Sequence, residues 1–279
     1  MRRLLVLLAA VSALAENPAA TAARQWREAH ERAILAEFIG LLSMPNLARD
    51  APAIRRNADA IATLMAARGV ATRLLEVPGA PPAVYGELLT PGAQRSIVFY
   101  AHYDGQPLDP KEWATEPWKP VLRTAPLDRD GRILQWPPEG PIDPEWRLYA
   151  RSASDDKAPV IAIAAALDAL RASRIAPRSN IKFLFEGEEE AGSAHLPDII
   201  AANKELLRAD AWLICDGPVH QSRRQQIVFG ARGVTTVDTT VYGPKRESHS
   251  GHYGKWAPNP AMMLARLLDQ KQQREHTLL

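Results

Sequence analysis

"FLFEGEEEAGS", residues 183–193, runs from an apolar strand straight into four acids, Glu186, Glu188, Glu189 and Glu190, within five positions. Like charges this close raise one another's pKa and resist burial, so the arrangement is unfavourable unless water or a cation neutralises it. Two more apolar runs end in the same way. "IVFYAHYD" ends at His102 and Asp104, and "WLICD" ends at Asp216, while "ASDDKAP" sets Asp155 and Asp156 just before a helix. In an open α/β sheet, ligands bind in the crevice beyond the carboxyl ends of the strands, so these groups can converge. Taken singly, each has an ordinary explanation: His102 as a core histidine, the acid run as a solvated loop, Asp155 as a helix cap, Asp216 as a turn former. Taken together, carboxylates and imidazole suit zinc or a similar divalent ion, and a cation offsets the repulsion.

Working outward, "VATRLLEV", "AVYGELL" and "SIVFYAHYD" are short β-branched or aromatic runs punctuated by Pro and Gly, and read as strands. "APVIAIAAALDALRAS" reads as a helix, "NIKFLFE" as a strand, "LPDIIAANKELL" as a helix, and "AWLICD" and "QIVFGARG" as strands. Upstream, Trp26, Ile34, Leu35, Phe38, Leu41 and Leu42 recur at helical spacing until Pro45, and a second helix spans about Ala53 to Arg68, closed by Gly69. Strands alternating with helices predict an α/β fold, a mostly parallel sheet with helices on both faces. Residues 105–144 carry many prolines and no periodicity, yet four of the seven tryptophans lie between Trp113 and Trp146, which predicts a packed loop. From Val234 the pattern changes: "VTTVDTTVYG" alternates like a half-exposed strand, and "NPAMMLARLLDQ" is a helix capped by Asn259 with Pro260 at its first position. A catalytic domain over 16–233 and the start of a smaller α/β lid domain over 234–279 are therefore expected.

The chain has 279 residues, 46% hydrophobic and 24% charged, enough for one large domain or two ordinary ones. Its first fifteen residues combine Arg2 and Arg3, an apolar stretch from Leu4 to about Leu14, and a small-x-small site at Ala13-Leu14-Ala15. This predicts a secretory signal peptide over 1–15, and an exported, periplasmic or secreted protein with no membrane attachment after cleavage. The apolar run is well short of the roughly 20 residues that span a bilayer. Removing Arg2 and Arg3 with no acid takes the formal charge from +2 to 0. No basic run with interleaved aromatics is present, so nucleic acid is not expected as a partner. Cys215 is the only cysteine, which excludes an internal disulfide and reads as a core strand residue.

Two spacings add chemistry. In H-x-D, a carboxylate two residues beyond the imidazole can hold its other N–H, the part Asp104 would play for His102. Side chains of the adjacent Glu189 and Glu190 point different ways, so one can bind metal while the other serves as general base.

At these residues the sequence resembles the di-zinc metallopeptidase family of carnosinase, bacterial dipeptidases, glutamate carboxypeptidase and succinyl-diaminopimelate desuccinylase, and within it the carnosinase-like dipeptidase branch. The resemblance runs from about Ala33 to Gln270 through "AHYDGQP", "YARSASDDKAP", "EGEEEAGS", "CDGP" and "ESHSGHYGKWAPNP" in the family's order. It implies two Zn2+ ions, with Mn2+ or Co2+ as substitutes. His102 and Asp216 would hold the first ion, Asp155 would bridge, and Glu190 would hold the second. Asp104 would orient His102, Glu189 would deprotonate the bridging water, and His249 in the lid would stabilise the oxyanion, in this family often across a homodimer interface. The implied reaction is hydrolysis of dipeptides or short peptides, with N-acyl amino acid hydrolysis as the alternative.

Ala150, Ser152 and Ala158 stand where the family pattern usually has glycines. The family also returns from the lid to supply a histidine for the second zinc, whereas this chain stops at "KQQREHTLL", so a truncated form, even a non-catalytic metal-binding or peptide-binding remnant, is a further expectation. His30, His195, His220 and His252 are read as ordinary histidines. Neither G-x-S-x-G nor H-E-x-x-H occurs.

Overall fold

A computed structural model describes residues 17–217, 219–231, 233, 236–246, 249–254 and 256–275. The segment 1–15, expected to be a signal peptide, lies outside them, as do residues 234 and 235 at the expected start of the lid. Among the described residues no helix is long and apolar enough to cross a membrane. The chain divides into two compact units, Met1–Pro218 and Val219–Leu279.

In the first unit, α1 (Pro18–Leu42) starts eight residues before the expected Trp26, because Asn17 caps it by accepting from the Ala19 N–H and Pro18 suits the first turn. Next comes α2 (Ala51–Ala66), capped by Asp50, with Gly69 beyond it at φ +82°, a left-handed position that glycine adopts at no steric cost. Five strands, β1 (Ala71–Leu75), β2 (Ala83–Leu88), β3 (Ser96–His102), β7 (Asn180–Glu186) and β8 (Ala211–Ile214), form one sheet in the order β1-β2-β7-β3-β8. The α/β class is the expected one, and the sheet is mixed: β3 pairs parallel with β7 and β8, while β1 with β2 and β2 with β7 are antiparallel.

Side chains alternate across the sheet with period two. Val84, Ala101, Phe183 and Phe185 face α1, α2 and α3 (Lys157–Ala172), through Leu41, Ile54, Ile61, Val160 and Ala164. Ala83, Tyr85, Val98, Tyr100 and Leu184 face two short helices, α4 (Leu196–Ala202) and α5 (Lys204–Leu207), through Ile199 and Leu207. Helices therefore pack against both faces of the sheet, while the edge strand β8 stays exposed.

The long loop after β3 is more ordered than its sequence indicates. It contains a three-stranded antiparallel sheet, β4 (Val121–Arg123), β5 (Ile133–Leu134) and β6 (Arg147–Tyr149), in the order β5-β4-β6. Its four tryptophans are half-buried, as expected of a packed loop. Arg32 on α1 donates to the carbonyls of Pro138 (2.6 Å) and Gly140, tying the loop to the helix.

In the second unit, α6 (Ser250–Tyr253) and α7 (Pro260–Glu275) are present, with Asn259 Oδ1 accepting from Ala261 N at 3.0 Å as its sequence pattern predicts. The strands expected over 226–233 and 234–243 are not formed at the described residues 226–231, 233 and 236–243. Ile227, Val228 and Phe229 are 74%, 74% and 98% exposed, and β-branched runs become strands only where a neighbour accepts their backbone bonds. Cys215 lies one residue past β8 and is half-buried, not a core strand residue.

Candidate metal centre

The parallel ladders decide what meets at the strand ends. His102, the last residue of β3, stands in register with Glu186, the last of β7, and Tyr100 with Ile214 of β8, so the chain leaving β8 brings Asp216 alongside. The N-terminus of α3 adds Asp155 and Asp156, which are joined by a cis peptide. A cavity of about 220 Å³ opens among Ser154, Asp155, Asp156, Asp216 and Gly217.

His102 is fully buried and turns its two ring nitrogens to different acids. Nε2 faces Asp155 Oδ1 at 3.0 Å, and Glu189 Oε2 and Asp216 Oδ2 at 3.8 Å each. Nδ1 is 3.2 Å from Asp104 Oδ1, within ion-pair distance but without hydrogen-bonding geometry. Asp104, itself fully buried, does more than steady the imidazole: its two oxygens accept from Glu189 N (3.1 Å) and Glu190 N (3.0 Å). One carboxylate thereby lies against the histidine and holds the short helical turn, Glu189–Ala191, that carries the paired glutamates.

The four acids of the quoted stretch thus part company. Glu186 is buried and accepts from the Tyr100 hydroxyl at 2.5 Å. Glu188 accepts from His195 N at 3.1 Å and meets its Nδ1 at 2.9 Å, which accounts for His195 without any part in the site. Glu189 and Glu190 face the cluster.

Among the described residues, two groups of three side chains have ligand atoms within 4.8 Å of one another: His102 with Asp155 and Glu190, and His102 with Asp156 and Asp216. His102, Asp155, Glu190 and Asp216, all expected at the site, are brought together, and Glu189 and Asp104 adjoin them. Asp156 was given no role from sequence. It is buried, and its Oδ2 accepts from His102 N at 3.1 Å. His249 belongs to the second unit, where it is exposed and its Nδ1 accepts from Gly251 N at 3.1 Å.

The electrostatics are those of a site built to share charge. Burial opposes a charge on His102, but Asp104, Asp156 and Asp216 outweigh it and hold the pKa up to about 10. Burial pushes Asp156 up to about 7, against the His102 backbone N–H and ring that pull it down. Burial raises Glu189 and Glu190 as well, with Asp216 adding to the first and Asp155 to the second. One imidazole close to two pairs of carboxylates, with Glu189 3.8 Å from its Nε2, forms an oxygen-rich, nitrogen-bearing donor set that fits divalent zinc, manganese or cobalt.

Histidine and carboxylates gathered at the carboxyl ends of an α/β sheet make a candidate metal centre. The chain belongs to Peptidase family M20/M25/M40, whose sequence profile matches residues 98–250. It is 29% identical over 191 residues to the Cys-Gly metallodipeptidase dug1 of Schizosaccharomyces pombe, covering 67% of this chain and 36% of that protein. Over the same length it is 32% identical to the human Beta-Ala-His dipeptidase, covering 67% and 34%. Among solved structures it superposes on an M20 family metallo-carboxypeptidase of Sulfolobus solfataricus with a TM-score of 0.59 at 28% identity, covering 84% of this chain and 48% of that one. On human carnosine dipeptidase 1 the TM-score is 0.60 at 22% identity, covering 91% and 52%. The chain therefore spans about a third of these curated relatives in aligned sequence and about half of these structures.

Proposed function

We propose that the protein hydrolyses the peptide bond of dipeptides or short peptides at this centre, with two zinc ions. The observation that supports this is a single buried histidine, His102, shared by two carboxylate groups, with a further glutamate 3.8 Å from its Nε2. His102 and Asp216 would hold one ion and Glu190 the other, with Asp155 shared between them; the bound metal would polarise the scissile carbonyl and lower the pKa of an attacking water. Glu189, whose pKa burial raises, would take a proton from that water and return it to the leaving amine. Asp104 keeps Glu189 at its post by holding its backbone N–H. His249 is assigned to the oxyanion through the family resemblance, within a homodimer.

The test is a panel of dipeptides and N-acyl amino acids, read before and after dialysis against a chelator. Dipeptide hydrolysis that disappears with the chelator and returns with zinc or manganese is expected. Turnover indifferent to chelation would overturn the metal assignment, and preference for acyl amino acids would move the substrate class. We also propose export, with residues 1–15 removed; N-terminal sequencing of the protein from the medium or periplasm should begin at Glu16.

A further inference from the structure

Asn46 lies outside every acidic motif, in the turn between α1 and α2, and is fully buried. Its Nδ2 donates to Tyr103 O at 2.7 Å and to Ser152 Oγ at 2.9 Å, and its Oδ1 accepts from Trp118 Nε1 at 3.0 Å. Its own carbonyl accepts from Gly105 N at 2.9 Å. The amide's orientation is dictated by chemistry, because an indole N–H can only donate and a backbone carbonyl can only accept. Asp104 is therefore gripped on both sides, through Tyr103 and Gly105. Ser152, three residues before Asp155, accepts from Asn46 and donates to Asp104 O at 3.3 Å. The approach is close: a Cβ at Gly105 would meet Ser152 Oγ at 2.7 Å. On the same side, the buried Lys157 donates to Leu41 O at 2.8 Å and Met44 O at 3.2 Å, pulling the start of α3 onto the chain just before Asn46.

We propose that Asn46 is a positioning residue of the metal centre, fixing the loop that carries His102 and Asp104 against the loop that carries Asp155 and Asp156. Neither loop is held to the other by regular secondary structure. A shift of either separates His102 from Asp155, and with it both candidate ligand groups. Only a primary amide supplies two donors and an acceptor in this plane; alanine leaves the Tyr103 carbonyl, the Ser152 hydroxyl and the Trp118 N–H without their partner.

The inference rests on reading the acidic cluster as a metal site, and calorimetric titration with zinc alone, on the full chain, separates the two. Asn46→Ala is compared with wild type and with Ile61→Ala, a substitution in the core under α2 that touches none of the hydrogen bonds of Asn46 and lowers the melting temperature on its own account. Asn46→Ala should weaken zinc binding about 10-fold or more, the scale seen when partners behind metal ligands are removed, while Ile61→Ala leaves affinity unchanged. If Asn46→Ala does not fold, Ser152→Ala decides, since it breaks the same link with a smaller loss; several-fold weaker binding supports the proposal. Wild-type affinity in whichever of these variants folds overturns it and leaves the metal reading standing. No zinc uptake by the wild type overturns the metal reading itself.

Discussion

Glu189 and Glu190 are neighbours hung from one anchor, Asp104, yet only Glu190 joins a ligand group. Glu189→Gln should keep its metal and lose about 100-fold or more in turnover, the range for removing a general base. Glu190→Gln should lose metal instead, measured by metal analysis after gel filtration; exchanged phenotypes would put the assignment wrong by one position. His102 adds a pH dependence with a definite sign. Its pKa is held at about 10, above the ordinary 6.5, so in the metal-free protein its pairing with the acids stabilises the fold fully below 6.5, and that contribution is lost as pH rises through about 10. Metal needs the neutral ring, so zinc uptake near neutral pH must expel that proton, and affinity should rise between about pH 6 and pH 9. Calorimetry in buffers of different ionisation enthalpy counts the protons released; an affinity flat across that range would show that His102 is already neutral. These residues were legible in the sequence because each strand announces its end with a change from apolar to ionisable. Asp156 was not, because it is the chemical twin of Asp155, and nothing in a sequence tells which of two adjacent acids turns inward.

At the scale of elements, the turn Glu189–Ala191 is a single helical turn too short to hold itself, and Asp104 supplies two of its backbone acceptors. Asparagine at 104 keeps one acceptor and presents an amide N–H to the other backbone donor. Asp104→Asn should therefore speed hydrogen exchange at the amides of Glu189 and Glu190 and weaken zinc about 10-fold or more. Unchanged exchange at both amides would mean that the turn is held by something else. Patterning alone located β3, β7 and α3 within two residues of their ends, and the start of α7 at its Asn259 cap, though α7 runs on to Glu275, five residues past the expected Gln270. The small sheet of β4, β5 and β6 was missed because its strands are two or three residues long, below the length at which alternation can be read. Residues 226–243 show the converse: their composition favours strand, but strand is a property of a pair, and the described backbone there has no ladder.

For the whole molecule, both candidate ligand groups fall within the unit Met1–Pro218, on β3, on the start of α3, and on the segments that follow β7 and β8. Metal bound there clamps together segments from distant parts of the chain and relieves the repulsion among the carboxylates, while the unfolded chain offers no preformed site. Binding to the folded form alone adds about 2.7 kcal/mol when free zinc is 100 times its dissociation constant. The metal-free protein should therefore melt at a lower temperature, and zinc should raise the transition in a concentration-dependent way that a chelator reverses. The gain should be seen first where the ligands are: amides of β3 and β7, whose parallel ladder sets His102 beside Glu186, should exchange more slowly with zinc present. A melting temperature indifferent to zinc from stoichiometric to a hundredfold excess would mean that the acids at the strand ends are neutralised without metal, and the repulsion that makes residues 186–190 unusual would have its answer in protonation instead.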